Sequence, residues 1–135
     1  MGRSRGGFST KIHAVVDTKA RPLHVALTPG HQHDSTMAEQ LLVHATGKAV
    51  IADTAYDADR ILAAIHKRGM KPVVCANPCR KTVRRLNRKL YRLRYLVECC
   101  FHELKRFRAI ATRYEKTARN YLALVHLGCA WLWIN

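Results

Sequence analysis

Acidic residues are scarce in this chain. Nine Asp and Glu stand against 24 Lys and Arg, which gives the 135 residues a formal net charge of +15. An excess of this size attracts polyanions through its long-range field, so nucleic acid is the leading candidate partner. Anionic lipid is a weaker candidate, because proteins of the membrane surface usually carry a separate amphipathic anchor.

The sequence also lacks a long hydrophobic run and a disulfide framework. Its longest apolar stretch, LALVHLGCAWLWI from Leu122, has about 13 residues, which is too short to span a bilayer and predicts a buried helix. Five cysteines form an odd number without a regular spacing, and no signal peptide precedes them. These absences predict a reducing cytoplasmic location and no membrane partner.

What is present is the pattern of one folded domain. Apolar residues make up 48% of the chain, enough for a modest core. Residues 1–10 are glycine-rich and basic, which predicts a flexible lead-in. The segments that follow are predicted, in chain order, as a hairpin, a helix capped by Asp34 or Ser35, a strand ending at Asp53, a helix ending at Gly69, a strand, and two further helices. This alternation predicts an α/β fold with a mixed sheet flanked by helices.

The stretch YRLRYLVECCFHELK, residues 91–105, has polar residues in a regular arrangement. Each residue of an α-helix advances about 100°, so one stripe about 60° wide holds four of them: Tyr91, Arg94, Glu98 and Lys105. The opposite flank is apolar and suits burial. The pattern predicts a polar stripe that faces an open cleft, and a solvated face with ordinary ion pairs is the alternative.

Asp53 ends the short apolar strand KAVIAD. Carboxylates at the carboxyl ends of strands in α/β sheets face the ligand crevice. Asp57 and Asp59 are closer to the following helix and are predicted to cap it, so Asp53 is available for another role. Since Mg²⁺ prefers oxygen ligands, Asp53 and Glu98 are the predicted metal-binding pair. A capping role for Asp53 is the alternative.

These residues match a known family. The spacing YxxRxxxExxxxxxK resembles the signature around the last acid of bacterial insertion-sequence DDE transposases. Three more segments, GRSRGGFSTKIHAVVD, IADTAYDAD and FRAIATRYEKTARNY, resemble the IS-five family in particular. The resemblance covers essentially the whole chain. It implies an RNase-H-like fold, DNA partners comprising insertion-sequence ends and target, and a nucleoid-associated location in a bacterial cytoplasm, with homo-oligomeric assembly left open.

The resemblance also implies a role for each site residue. Asp53 becomes the second catalytic acid and Glu98 the third, with Tyr91, Arg94 and Lys105 beside them. Two Mg²⁺ ions, for which Mn²⁺ is a substitute, activate water or a DNA 3′-hydroxyl for attack on a phosphodiester. The cations predicted to bind the DNA backbone are Arg80, Lys81, Arg84, Arg85, Arg88, Lys89 and Arg92. A merely solvated charge run is the alternative for these cations.

One part of the family pattern is absent. The first acid of the family lies on a central strand upstream of the GRSRGG block, and this chain begins directly before that block. We therefore expect residues 1–135 to form a single partial RNase-H-like catalytic domain without its first strand. Such a chain either binds a separately encoded N-terminal transposase segment or is an inactive remnant. The nearby Asp17, in the turn DTKA, is predicted to serve the turn. The alternative function is a non-catalytic basic module that binds nucleic acid.

Overall fold

The chain folds into two compact units. The computed structural model describes residues 2–4, 7–82, 84–113 and 115–135. Contacts group Met1–Gln32 with Leu96–Asn135, which we call the hairpin unit, and they group His33–Tyr95, which we call the βαβ unit. The prediction of a single partial domain stays a prediction, and each unit is described by itself.

An antiparallel sheet opens the hairpin unit. Its strands, in the order β1-β2-β3, are β1 Gly2–Ser4, β2 Gly7–Val16 and β3 Pro22–Pro29. Between β2 and β3, Asp17 Oδ1 accepts hydrogen bonds from the backbone N–H groups of Lys19 at 2.8 Å and Arg21 at 2.9 Å. The Arg21 guanidinium donates two more bonds to Asp17 Oδ2. The predicted hairpin is confirmed, and Asp17 serves its turn as predicted.

The predicted lead-in at residues 1–10 contains paired backbone. β1 pairs with the beginning of β2, with Gly2 opposite Ser9 and Ser4 opposite Gly7. Residues 1, 5 and 6 lie outside the described part of the chain. The described backbone of the rest is extended and hydrogen-bonded, and the flexibility of the lead-in stays a prediction. Pairing with β2 gives hydrogen-bond partners to the backbone N–H and C=O groups of β1, which composition alone does not reveal.

Three helices complete the hairpin unit. They are α4 Tyr95–Lys105, whose first residue belongs to the βαβ unit, α5 Arg108–Ala111 and α6 Ala118–Ile134. The predicted final helix is confirmed, and the side chain of Thr117 caps it by accepting from the N–H of Asn120. The buried core of this unit comprises Val25, Cys100, Leu104, Ile110, Tyr121, Val125 and Cys129.

The end of α6 is attached to the hairpin turn. The indole N–H of Trp133 donates to the carbonyl oxygen of Pro22 at 2.7 Å. The guanidinium carbon of Arg21 lies 4.1 Å from the Trp133 ring centroid, so the Asp17 ion pair continues into a cation–π contact. Trp131, by contrast, is 54% exposed.

The βαβ unit contains two parallel strands joined through a helix. Its elements are α1 Ala38–Leu42, β4 Ala49–Ala52, α2 Asp59–Lys67, β5 Lys71–Val74 and α3 Arg88–Tyr91. β4 and β5 pair in parallel, with Ala52 opposite Val74. The apolar face of α2 packs in a core of Ala38, Leu42, Ile61, Leu62, Ile65, Met70 and Val74. Gly69 follows α2 with φ of +74°, which confirms the predicted helix end.

The predicted caps of the first two helices are wrong. A 3₁₀ turn, Asp34–Met37, precedes α1, and its cap residue is His33, which makes no side-chain capping bond. The cap residue of α2 is Ala58, again without such a bond. Asp59 lies inside the first turn of α2, where its charge favours the helix dipole, and Asp57 has other partners that are described below.

The predicted continuous helix over residues 91–105 is also wrong. A 3₁₀ turn, Arg92–Arg94, separates α3 from α4. A 3₁₀ turn advances about 120° per residue instead of about 100°, so the calculated stripe does not extend regularly across it. Only Glu98 and Lys105 share one regular helix.

The fold class is the predicted mixture of α and β structure. Among the described residues the strands form two separate sheets, one antiparallel and one parallel. No helix in this part of the chain is both long and apolar enough to cross a membrane.

Candidate functional site

The carboxyl ends of β4 and β5 bring two loops together. Because the strands are parallel, both end at the same edge of their sheet, where α/β proteins bind ligands. The loop after β4 begins at Asp53, and the loop after β5 begins at Cys75. The backbone N–H of Asn77 donates to Asp57 Oδ2 at 2.6 Å, which joins the two loops directly.

Asp53 lies at this edge, as predicted. It is half-buried, and its Oδ1 accepts the N–H of Ala55 at 3.0 Å, so it caps the 3₁₀ turn Thr54–Tyr56. The prediction that other acids would leave Asp53 without a capping role is therefore wrong. The bond uses one of two carboxylate oxygens and does not neutralise the charge, so Asp53 combines a local structural role with a position suited to ligand binding.

The pKa of the Tyr56 hydroxyl is affected by the charge at this edge. Burial, and then the negative charges of Asp34 and Asp53, raise the pKa of Tyr56 to about 12. The two 3₁₀ turns that carry Asp34 and Tyr56 pack against each other. Two carboxylates therefore act on one hydroxyl, and they make this part of the strand end locally negative in a strongly basic protein.

Asp57 is the most enclosed acid of the site. Its side chain has no exposed surface, and it binds Arg80 Nε at 2.8 Å and Arg84 Nη2 at 2.7 Å. Burial alone would raise the pKa of the Asp57 carboxyl, but the Asn77 hydrogen bond and the two guanidinium groups outweigh burial and hold that pKa below its ordinary value.

The predicted DNA-binding cations fall into two groups. Arg80 and Arg84 retain only 24% and 30% side-chain exposure, and both bind Asp57. Arg80 also pairs with Asp59 at 2.7 Å. The other members are exposed: Lys81, Arg85, Arg88, Lys89 and Arg92.

Tyr91 and Arg94 lie in the βαβ unit together with Asp53. Both are half-buried, and the Arg94 guanidinium carbon is 5.9 Å from the Tyr91 ring centroid. α3 packs against β4 and β5, and the following 3₁₀ turn packs against β4. The structure thus brings the segment that carries Tyr91 and Arg94 to the sheet whose edge carries Asp53.

Glu98 and Lys105 belong to the hairpin unit. Both are exposed on α4, while Cys100 and Leu104 of the same helix are buried. Residues seven positions apart on an α-helix share a face, so this part of the predicted stripe agrees with the structure. Since Asp53 lies in the other unit, its pairing with Glu98 at a metal site stays a prediction.

Similarity to known proteins decides the family. The family description "Transposase DDE domain" matches residues 2–133. The chain belongs to the transposase DDE domain family.

Two relatives agree with this family. One is named as the transposase for insertion sequence element IS6501 of Brucella ovis, and it is 43% identical over 131 residues, covering 95% of this chain and 100% of that relative. Another, named for element IS402 of Burkholderia cepacia, is 30% identical over 139 residues, covering 94% of this chain and 63% of that relative. No solved structure gives a significant match to the chain.

The donor chemistry of this DDE domain fits a divalent cation. The carboxylates of Asp53 and Glu98 are hard oxygen ligands of the type that Mg²⁺ prefers. Among the described residues no three His, Cys, Asp or Glu side chains cluster around one point. Mg²⁺ commonly keeps several waters and takes further ligands from phosphate, so one or two carboxylates suffice on the protein side.

Sequence reasoning missed the role of Asp57 in this domain. The residue stands in IADTAYDAD four positions after Asp53, and proximity to α2 suggested a cap. The basic segment after β5 could have revealed this role. A cation of that segment that becomes buried against the protein needs an acidic partner, and Asp57 is a nearby acid.

Proposed function

We propose that this chain is the catalytic core of an insertion-sequence transposase, which cleaves DNA phosphodiesters and transfers the strand. The observation that carries the proposal is the DDE domain match over residues 2–133. The relative named for IS6501 supports it, because that protein aligns over its whole length. DNA, as insertion-sequence ends and target, is the proposed partner.

Asp53 and Glu98 are the proposed ligands of Mg²⁺, with Mn²⁺ as a substitute. Two bound ions would supply an activated oxygen nucleophile and stabilise the leaving oxygen. Arg94 and Lys105 supply positive charge for phosphate oxygens, and the Tyr91 ring keeps the Arg94 guanidinium beside it.

The proposal includes an RNase-H-like core of the IS-five type. Among the described residues the strands form two sheets, β1-β2-β3 and β4-β5, and this combination of antiparallel and parallel pairing supports a mixed core. A separately encoded N-terminal transposase segment is a further proposed partner. The match to the IS402 relative covers 63% of that protein. Assembly on two DNA ends in a bacterial cytoplasm is part of the same proposal.

Plasmid cleavage tests the catalytic assignment. The full chain is incubated with supercoiled plasmid in Mg²⁺, Mn²⁺ or EDTA, alone and with an added N-terminal transposase segment. We expect nicking that requires a divalent ion. Asp53→Asn and Glu98→Gln each remove a ligand worth several kcal/mol of transition-state stabilisation, so each lowers the nicking rate about a thousandfold.

Matched substitutions separate catalysis from a change in net charge. Asp59→Asn and Glu103→Gln alter the charge equally but remove acids whose side chains are exposed, and we expect them to retain nicking. Equal activity of Asp53→Asn and the unsubstituted chain would refute the assignment.

A non-catalytic DNA-binding module is the second candidate. Five exposed cations between Lys81 and Arg92 favour it, because such a surface binds backbone phosphates without any chemistry. Salt-dependent DNA binding without nicking, in either divalent ion and with the added segment present, would establish this candidate in place of the enzyme.

A further inference from the structure

Two of the seven cations predicted to contact DNA are already bound within the protein. Arg80 and Arg84 each donate to a different oxygen of the Asp57 carboxylate. The N–H of Asn77 donates to the oxygen that Arg80 also uses. Arg84 Nη2 reaches the carbonyl oxygen of Val74 as well, at 3.3 Å.

These contacts hold a loop that has little regular structure of its own. The described residues between 75 and 87 form neither helix nor strand. Asn77, Arg80 and Arg84 are spaced along this loop, and all three converge on one carboxylate that has no exposed surface. A buried carboxylate is costly without partners, so the burial of Asp57 and the path of the loop depend on each other.

We propose that Asp57 is a positioning residue, which fixes loop 75–87 at the carboxyl ends of β4 and β5 by holding Arg80 and Arg84. In this arrangement Arg80 and Arg84 anchor the loop, and the exposed cations alone contact phosphate. The part of the proposal that concerns phosphate rests on the proposed DNA-binding function, whereas the anchoring of the loop does not.

The two groups of cations differ in what DNA binding would release. A cation that binds phosphate displaces condensed counterions from DNA and steepens the dependence of affinity on salt. Arg80 and Arg84 already have a carboxylate partner, so they do not contribute to counterion release when DNA binds. Substituting either of them should therefore leave the salt dependence unchanged. Their neighbours Lys81 and Arg85 are exposed, which gives two pairs of adjacent cations with opposite expected behaviour.

Hydrogen exchange tests the anchor without DNA. In Asp57→Asn we expect the amides of Asn77 and Arg80 to exchange at least tenfold faster than in the unsubstituted chain, while amides of β5 change less. The matched variant Asp59→Asn removes an equal charge from the 88%-exposed partner of Arg80, and we expect it to leave these amides protected. Equal exchange in Asp57→Asn and the unsubstituted chain would overturn the anchor.

Salt dependence of DNA binding tests the division of the cations. Affinity for a linear duplex is measured over a range of salt for four variants: Arg80→Gln, Lys81→Gln, Arg84→Gln and Arg85→Gln. For Lys81→Gln and Arg85→Gln we expect the slope of log K against log salt to fall in magnitude by about one unit each. For Arg80→Gln and Arg84→Gln we expect no change of slope.

The outcomes separate this proposal from the proposed function. A slope reduced as much by Arg84→Gln as by Arg85→Gln would overturn the division of the cations. If the unsubstituted chain does not bind DNA, the proposed function fails, and the exchange of Asn77 and Arg80 still decides the anchor. If Asp57→Asn does not fold, faster exchange of the same amides in Arg84→Gln supports the anchor and unchanged exchange contradicts it.

Discussion

In both units an aspartate accepts hydrogen bonds from backbone N–H groups and arginine, but the residues that it joins are separated by very different lengths of chain. In the hairpin unit, Asp17 accepts backbone N–H groups and a guanidinium from a residue four positions away. In the βαβ unit, Asp57 does the same with Asn77 and with arginines 23 and 27 positions away. The first arrangement shapes one turn, whereas the second holds a long loop at the carboxyl ends of β4 and β5.

The comparison shows why the acids of this chain cannot be read as a uniform set. Asp17 and Asp57 are both paired with arginine and serve structure, although they stand in different units. Asp53 caps a 3₁₀ turn through one carboxylate oxygen, Glu98 is exposed on α4, and both are the proposed metal ligands. Because the chain has few acids, the role of each aspartate and glutamate can be considered individually.

The largest expected effect comes from truncating each core separately. Leu104 of the hairpin unit and Ile65 of the βαβ unit are 0% and 1% exposed, so Leu104→Ala and Ile65→Ala should each lower the free energy of unfolding by about 2–5 kcal/mol. Hydrogen exchange resolved along the chain measures where protection is lost. We expect each loss to concentrate in the substituted unit, and equal losses in both units would show that they unfold as the single domain predicted from sequence.

A smaller effect is expected where α6 makes its closest approach in the hairpin unit. A Cβ atom at Gly128 would lie 2.9 Å from Ile110 Cδ1 and 3.1 Å from Leu104 Cδ2. Gly128→Val should therefore destabilise the unit by about 1–3 kcal/mol through overpacking. Ala130→Val, at an exposed position of the same helix, is the control, and equal denaturation midpoints for the two variants would contradict the packing.

The smallest expected effect is the loss of stability in acid that comes from protonation of Asp17 and Asp57. Burial opposes the charge of each, but hydrogen bonds from Arg21 to Asp17, and from Asn77 and the two arginines to Asp57, lower the pKa of both carboxyls in the folded chain. Their contribution to stability is therefore complete above the ordinary aspartate pKa of about 3.9 and is lost as pH falls through the lowered folded value.

Amide exchange below about pH 4 should locate the two losses. Corrected for intrinsic rates, exchange of Lys19 and Asn77 should accelerate as pH falls. Asp57→Asn should remove the pH dependence at Asn77 and leave that at Lys19. A pH dependence that disappears at both amides together would contradict independent ion pairs.

Sequence alone predicted the elements whose signals are local. The hairpin, the strand ending at Asp53, the strand after Gly69 and the helix beginning after Thr117 all follow from alternation, turn residues or caps, and the structure confirms them. The cap predicted for α1 failed because a 3₁₀ turn, Asp34–Met37, precedes that helix. The cap predicted for α2 failed because two acids, Asp57 and Asp59, stood near its start, and proximity does not reveal that Asp57 has partners elsewhere.

At the candidate site, too, the features with local sequence signals were predicted and those that depend on distant residues were not. The position of Asp53 followed from its strand, and the exposure of Glu98 and Lys105 followed from helix periodicity. The 3₁₀ turn at Arg92–Arg94 was hidden, since nothing in YRLRYL distinguishes its geometry from an α-helix. The Asp57 contacts were hidden because they depend on chain separations of more than twenty residues, which only the paired strands bring together.

The attachment of Trp133 to the hairpin turn has a practical consequence for spectroscopy. Both tryptophans of the chain lie on α6, one docked against Pro22 and Arg21 and the other largely in solvent. Tryptophan emission is therefore expected to sense the departure of this helix from the turn, which lies in the hairpin unit. A fluorescence transition should be compared with a probe in the βαβ unit before it is taken to describe the whole molecule.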